Sequence, residues 1–459
     1  MDLVKNFFRT RRIDDNYFLT NDYGGYCILN EKEYGELRSG SISDELKQRL
    51  RNSHILIDEK DLDRLISLTK KRYSFLMQGT SLHIIIPTLR CNMKCIYCHA
   101  SSRPVDDLSC NMDEEIAKKT VDFIFQSPAK GLCIEFQGGE PLLNWPILKF
   151  VVSYAKELNK SHNKNLLFTV VTNLSLMDED KMNFFIDEGV DICTSLDGHK
   201  ELHDKNRLLV GGSNYDQVLF WLKKINEEYL KRGIKEKRVH ALPTITKESL
   251  KYSRQIIDEY IKLGLKEIHI RFLNNLGVAK DSWFNINYSV YDFMKFWIDS
   301  VEYIKELQKQ GIEINERMVK IMFSKIETGE DPNYLDLRSP CGAAIGQLAY
   351  SYNGDIFTCD EARMIGNNDL FLLGNVKFSK YSDIVTCDKA CATVNSSIND
   401  QYICDTCAYK PYCGLCPVCA YAEQGTIITK VSDSSRCKIF KQQFDWVIKE
   451  KFINLKISK

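Results

Sequence analysis

Three thiols crowd into one short stretch, Leu89-Arg-Cys-Asn-Met-Lys-Cys-Ile-Tyr-Cys-His-Ala100. Cys91, Cys95 and Cys98 have three and then two residues between them. Thiolates are soft ligands that select zinc, copper(I) or iron–sulfur clusters. A cubane [4Fe–4S] cluster normally takes four cysteines. Three in one loop leave one iron free, as an open metal site must. A second concentration lies near the end of the chain: ten of the 17 cysteines fall between Cys341 and Cys437, while all eight histidines precede residue 270. A cysteine-only set suits iron–sulfur at least as well as zinc, and it excludes mixed Cys2His2 fingers there.

The elements that must position these thiols read as alternating strands and helices. Strand-like runs are Leu82–Pro87, Leu132–Gln137, Leu166–Thr172, Val190–Leu196, Val239–Ile245 and Glu267–Phe272. Helical segments between them include Asp113–Phe125, Pro146–Leu158, Glu179–Glu188 and Leu250–Leu263. Six βα units with near-continuous apolar strands predict an α/β fold with a parallel sheet covered by helices. Sites on such folds sit at the C-terminal ends of strands, and the motifs fall there. The cysteine triad follows the first run. Gly138 and Gly139 follow the second and let backbone approach a ligand closely, beside the anionic acceptor Glu140 and Pro141. The third ends in Thr172-Asn173. At the end of the fourth, Ser195 and Asp197 are two apart and so share a side, where hydroxyl and carboxylate can hydrogen-bond a ribose. Arg207 can pair with a carboxylate bidentately. Arg271, ending the sixth, either faces the site or makes a structural salt bridge. Residues Tyr288–Glu327 read as two helices whose apolar spacing is core.

Two flanking modules complete the chain. Residues 1–75 read as a hairpin, Tyr17–Thr20 and Tyr26–Leu29 around Asn21-Asp22-Tyr23-Gly24-Gly25, followed by short helices, one capped by Ser43. In the tail, Asn353-Gly354-Asp355 predicts a hairpin between Gln347–Tyr352 and Ile356–Cys359. Cys27, Cys110, Cys133 and Cys193 are isolated and read as core.

Composition narrows the classes. Lys+Arg and Asp+Glu are both 62, so the net charge is zero, which argues against a nucleic-acid footprint. No apolar run approaches the ~18 residues of a membrane span. Met1–Asp15 lacks the apolar region of a secretory signal. A cytoplasmic location follows, where clustered cysteines read as metal ligands rather than disulfides.

The C-x3-C-x2-C spacing with an aromatic before the last Cys resembles the radical S-adenosylmethionine (SAM) superfamily. The resemblance implies a partial (β/α)6 barrel over residues 76–335. It implies a [4Fe–4S] cluster on Cys91, Cys95 and Cys98 whose free iron chelates SAM, and cleavage to a 5′-deoxyadenosyl radical that abstracts hydrogen from a substrate. It places Tyr97 near the adenine, Gly138, Gly139, Glu140 and Pro141 at the SAM amino group, and Asn173, Ser195, Asp197 and Arg207 at the ribose and carboxylate.

The tail, residues 336–459, resembles the SPASM extension, which holds two auxiliary [4Fe–4S] clusters, making three in all. By position, Cys404, Cys407, Cys413 and Cys437 would hold one. Cys341 and Cys359, with Cys416 or Cys419, would hold the other. The chain departs from the pattern in its spacer after Cys413 and in carrying Gln347 where a further ligand stands. That cluster therefore has either an open iron or a fourth ligand from Cys387 or Cys391. A zinc-ribbon tail is the plainer alternative. Asp360, directly after Cys359, matches a carboxylate base of the anaerobic sulfatase maturases.

Residues 1–75 resemble the winged-helix-like module that binds leader peptides as an added strand; a simple extension packing on the barrel is the alternative. Segments such as Phe136–Asn144 and Thr194–Arg207 look similar to peptide maturases of the His-Xaa-Ser and Cys-repeat precursor systems. The resemblance implies a maturase that forms a thioether or carbon–carbon crosslink in a ribosomal precursor peptide. Its partners would be that peptide with its leader and a flavodoxin- or ferredoxin-type electron donor, with no nucleic acid and no membrane. The alternatives are a formylglycine-generating sulfatase maturase and a non-catalytic iron–sulfur or zinc scaffold.

Overall fold

The apolar runs from Leu82 onward become strands of one sheet in the computed structural model, which describes residues 3–366 and 369–454. The ends of the expected outer modules, residues 1–2 and 455–459, lie outside the described residues.

The N-terminal hairpin gains a partner strand. Strands β1 (Arg9–Ile13), β2 (Asn16–Thr20) and β3 (Tyr26–Asn30) form an antiparallel sheet in that order. The Asn21 side chain closes the turn by accepting from the Tyr23 and Gly25 amides, 3.1 and 3.0 Å. A helix absent from the sequence reading follows at Glu31–Ser39; its capping box, Asn30 with Glu33, satisfies otherwise orphaned amides. Ser43 stands at the N-cap of Asp44–Asn52 but makes no side-chain cap bond. A third helix spans Leu62–Arg72. Cys27 is buried among Leu19, Leu29, Leu37, Leu46 and Leu50, as expected. The module packs on the cysteine-rich tail: Tyr412 Oη donates to the Gly24 carbonyl at 2.9 Å, and Arg11 grips Asp445 at 2.9 and 2.7 Å.

The main sheet has eight strands. β4 (Leu82–Ile85), β5 (Gly131–Phe136), β6 (Asn165–Thr172), β7 (Val190–Ser195) and β8 (His240–Leu242) run parallel in that order across it. Helices Glu114–Ile124, Trp145–His162, Glu179–Glu188 and Asn214–Lys231 lie between them in sequence, and their apolar faces join the sheet in one core. The parallel register brings all the motif-bearing C-terminal ends to one side.

Two features differ from expectation. The sixth run does not extend this sheet. Only Glu267–Ile268 is strand, paired with Asn315–Glu316, and a single bridge, Thr244 to Arg271, touches the β8 side. The reason is a side chain: the buried Glu316 carboxylate accepts the Ile270 amide at 3.2 Å and caps helix Arg317–Thr328, so the run bonds a carboxylate where a neighbouring strand would stand. On the opposite edge, the tail hairpin joins the barrel sheet. β9 (Gln347–Tyr350) runs parallel to β4, and β10 (Asp355–Phe357) and β11 (Leu372–Asn375) return antiparallel. The boundary expected at residues 335/336 therefore crosses a shared sheet. Helix Val290–Lys309 packs against the tail helix Ser435–Ile448 through Trp297 and Trp446, ring centroids 5.5 Å apart. No helix among the described residues is long and apolar enough to cross a membrane.

Candidate functional site

The loop after β4 is held in place by backbone. The Gly139 and Glu140 amides donate to the Thr88 and Arg90 carbonyls at 3.0 and 2.7 Å. A Cβ on Gly138, whose φ is +137°, would lie 2.3 Å from the Thr88 oxygen, and one on Gly139 2.1 Å from the Arg90 oxygen. Only glycine lets the β5 end approach this closely. The Arg90 side chain braces the loop from behind, donating to Asn111, Val105 and Leu143.

Glu140 is almost fully buried at 1% exposure. It accepts from Thr172 Oγ1 at 2.7 Å, the Asn173 amide at 2.8 Å and the Leu142 amide at 3.1 Å. Burial raises its pKa to about 7 against those hydrogen bonds. Its carboxylate thus ties β5 to β6 and starts the turn at Pro141; a free acceptor was expected. Asn173 is also committed locally, donating to Asn92 Oδ1 at 3.1 Å and accepting from Ser175.

Asp197 departs furthest from expectation. β7 ends at Ser195, which is half-buried, and Asp197 turns inward to 0% exposure. Tyr97 Oη, Asn206 Nδ2 and the Thr244 amide donate to it, and Arg207 Nε lies 3.4 Å away. Both oxygens are engaged in ordering the loop; strand alternation stops applying once the pleat ends. Tyr97 is buried with the Arg207 guanidinium 5.1 Å over its ring. Arg207 pairs with Cys95 across a short antiparallel ladder and sets Nη1 3.9 Å from its sulfur.

Burial pushes the Cys91 and Cys95 thiols up to about 12 and about 11. Such thiols lose their protons when a metal cation replaces them. Beside Cys98, burial pulls His99 down to about 4, opposed by nearby Asp360. Asp360 itself is 8% exposed, starts the short helix Asp360–Arg363, and receives Arg363 Nε at 2.8 Å. Arg363 Nη1 reaches the Ala100 carbonyl at 3.0 Å, so the segment after Cys359 is tied to the triad loop. Arg271 lies 3.8 and 3.9 Å from Asp336 and Glu361, a loose interior pair. Sequence reasoning missed Glu135, on β5, whose carboxylate accepts from Gln137 and Thr169 and whose pKa burial raises. A carboxylate inside a run read as apolar was the available signal.

The tail cysteines gather into two groups. Burial raises Cys413, and neighbouring Cys407, Cys437 and Cys404 raise it further. All four line one pocket, with Cys416, Cys419 and Arg436 also on its wall. In the second group Cys359 is raised first by burial, then by Glu361, Cys416 and Cys341. The Cys419 amide donates to Cys416 Sγ at 3.4 Å. Cys416 therefore stands with Cys341 and Cys359, and Cys419 stands beside Cys416. Cys391 is exposed, and its Sγ lies 3.6 Å from the carbonyl of Thr386, the last residue of the preceding helix; neither it nor Cys387 lines the cavity. No disulfide joins any of the 17 cysteines, all of which lie among the described residues.

Residues 85–259 match the family model described as Radical SAM superfamily. A cysteine-type anaerobic sulfatase-maturating enzyme of Clostridium novyi is 22% identical over 392 residues, 80% of this chain and 95% of that protein. An uncharacterized protein of Methanocaldococcus jannaschii is 33% identical over 117 residues, but the match spans only 25% of this chain and 38% of that protein. Among solved structures, anSMEcpe with bound AdoMet has a TM-score of 0.68 at 19% identity, covering 82% of this chain and 99% of that one. Streptococcus suis SuiB bound to precursor peptide SuiA has a TM-score of 0.56 at 15% identity, covering 93% and 98%. The matched segment contains the triad loop, the Gly138-Gly139 contact and the Arg207 ladder, so these parts of the site all lie within the stretch that matches the radical SAM superfamily.

Proposed function

We propose that this enzyme is a cytoplasmic peptide maturase. It would bind a ribosomal precursor through residues 1–75, do chemistry in the barrel of residues 76–335, and carry auxiliary clusters in residues 336–459. The likeness to the superfamily implies one [4Fe–4S] cluster and SAM, and the donors fit: three thiols outside any disulfide on a braced loop, two of them, Cys91 and Cys95, raised by burial. Cys91, Cys95 and Cys98 would hold the cluster, with Tyr97, Gly138, Gly139, Glu140, Pro141, Asn173, Ser195, Asp197 and Arg207 shaping the SAM site. When bound, these groups supply reductive SAM cleavage and hydrogen abstraction from a substrate residue. The chain's own part is to hold the loop through the β5 glycines, keep Arg207 against Cys95, and present Asp360 as the base.

The zinc-ribbon alternative needs four ligands at about 2.3 Å from one ion. Six cysteines around one cavity favour a larger group, held by Cys404, Cys407, Cys413 and Cys437. Cys341, Cys359, Cys416 and Cys419 would hold the second, in place of an open iron or a ligand from Cys387 or Cys391. A low-potential flavodoxin- or ferredoxin-type protein would supply electrons.

The observation that carries the precursor-peptide reading is the N-terminal module. The likeness to SuiB leaves about 7% of the chain outside, less than half the length of residues 1–75. The module also exposes apolar side chains on one helix face, Leu62 at 61% and Ile66 at 50%. Ile66→Glu would remove about 1.5–3 kcal/mol of apolar burial from a docked leader, raising its Kd about tenfold or more. Titration of the full-length chain with the peptide encoded by a neighbouring short reading frame checks this; an unchanged Kd removes the module from recognition. The second reading, formylglycine formation, is favoured by the maturase likeness over 95% of the Clostridium novyi enzyme. Aldehyde trapping decides: crosslinking removes two hydrogens and leaves a ring, whereas formylglycine leaves an aldehyde that a hydrazide captures.

The glycine contact gives a further test. Gly139→Ala forces backbone apart at Arg90, an overpacking cost of about 1–3 kcal/mol. Deoxyadenosine formation is expected to fall at least about tenfold with unchanged far-UV circular dichroism. Wild-type rates would mean that the loop tolerates the shift.

A further inference from the structure

Arg436 sits where a cation is hard to keep. It is 8% exposed. It occupies the first turn of helix Ser435–Ile448, where the dipole disfavours positive charge. Its one hydrogen bond runs from Nη2 to Asp336 Oδ2 at 3.2 Å. Nε and Nη1 are buried without a partner among the described residues. The Phe272 and Phe440 rings face the guanidinium at 5.3 and 5.6 Å; they accept its charge but leave its in-plane donors unused. A buried ion normally needs pairing and filled hydrogen bonds. Asp336 gives only part of that, because Arg271 shares it. What remains near Arg436 is sulfur: the cavity wall it shares with Cys416, Cys419 and Cys437.

We propose that Arg436 sets the reduction potential of the iron–sulfur group held by Cys341, Cys359, Cys416 and Cys419. Its free Nε–H and Nη1–H donate to sulfur of that group, and its charge favours the added electron. Cluster potentials respond to net charge and to hydrogen bonds on the sulfurs, and the orphaned donors supply both. Placed one residue before Cys437, the same side chain stands between the two cysteine groups and biases which one the electron occupies. This rests on the cluster reading of the tail given above.

The test uses the full-length chain, anaerobically reconstituted, carrying Cys91→Ala, Cys95→Ala and Cys98→Ala so that only the tail groups report. Electron paramagnetic resonance follows a redox titration. In Arg436→Gln, one of the two signals should show a reduced-to-oxidised ratio about tenfold lower at the parent midpoint, equivalent to a fall of about 59 mV for one electron. The other signal should keep its midpoint. Arg436→Lys keeps charge but loses the planar fork, and about a threefold fall is expected. Unchanged midpoints in Arg436→Gln with iron retained overturn the proposal. Should that variant not fold, an unchanged midpoint in Arg436→Lys does the same. A parent that binds zinc, or no iron, overturns the cluster reading itself, which is a separate result.

Discussion

On the three-cluster reading, replacing Cys91, Cys95 and Cys98 together by Ala should leave a folded protein that binds about eight irons against an expected parent content of about twelve, four per cluster, and that forms no deoxyadenosine. The three sulfurs sit on a loop whose shape is fixed by other groups: the Gly139 and Glu140 amides, the Arg90 side chain and the ladder to Arg207. Removing thiols therefore removes ligands without removing the loop. The tail cysteines lie in separate groups on a separate cavity, so their iron should remain. Iron and sulfide analysis with a dithionite-driven SAM cleavage assay reads both numbers. Continued cleavage would place the SAM site elsewhere, and loss of all iron would mean that the tail groups depend on the first.

Asp360→Asn is expected to lower product formation by about 10²–10⁴, the usual contribution of a general base, while deoxyadenosine still forms. The carboxylate lies within electrostatic reach of His99 and so close to the triad loop. A carboxamide there keeps the shape and loses the proton acceptor. Arg363 complicates the substitution, because it spans from Asp360 to the Ala100 carbonyl. The two assays separate the roles. Product lost with cleavage kept assigns Asp360 to the step after hydrogen abstraction. Both lost together makes it a loop-positioning residue acting through Arg363. Neither lost leaves it only an ion-pair partner.

Much of this was legible in the chain because it depends on local pattern. Apolar runs of strand length flanked by helical periodicity located five of the main-sheet strands, four to within two residues and the fifth, His240–Leu242, shorter than the run read for it, and the Asn353-Gly354 turn located the tail hairpin. The triad and the double glycine stood at strand ends, where parallel register brings them together. What escaped depends on contacts distant in sequence. The inward turn of Asp197 follows from Tyr97 and Asn206 meeting it. The missing sixth strand follows from Glu316, nearly fifty residues on. Spacing alone could not choose between Cys416 and Cys419; Cys416 lies near Cys341 and Cys359, with Cys419 bonded to it. Arg436 gave no signal, since an arginine early in a polar helix ordinarily faces water.

The strand that carries the triad is bordered on both flanks, by β5 and by β9 from the tail. Trimming the chain before residue 336 would strip one flank from β4. Its amides and carbonyls would lie open, beside Ile84 and Ile86, which now pack against Ala349. An uncovered apolar edge recruits other chains. The cysteine-rich end is thus no detachable accessory: cutting it away should yield aggregate, and the radical-forming half has no independent existence as a stable, dispersed protein.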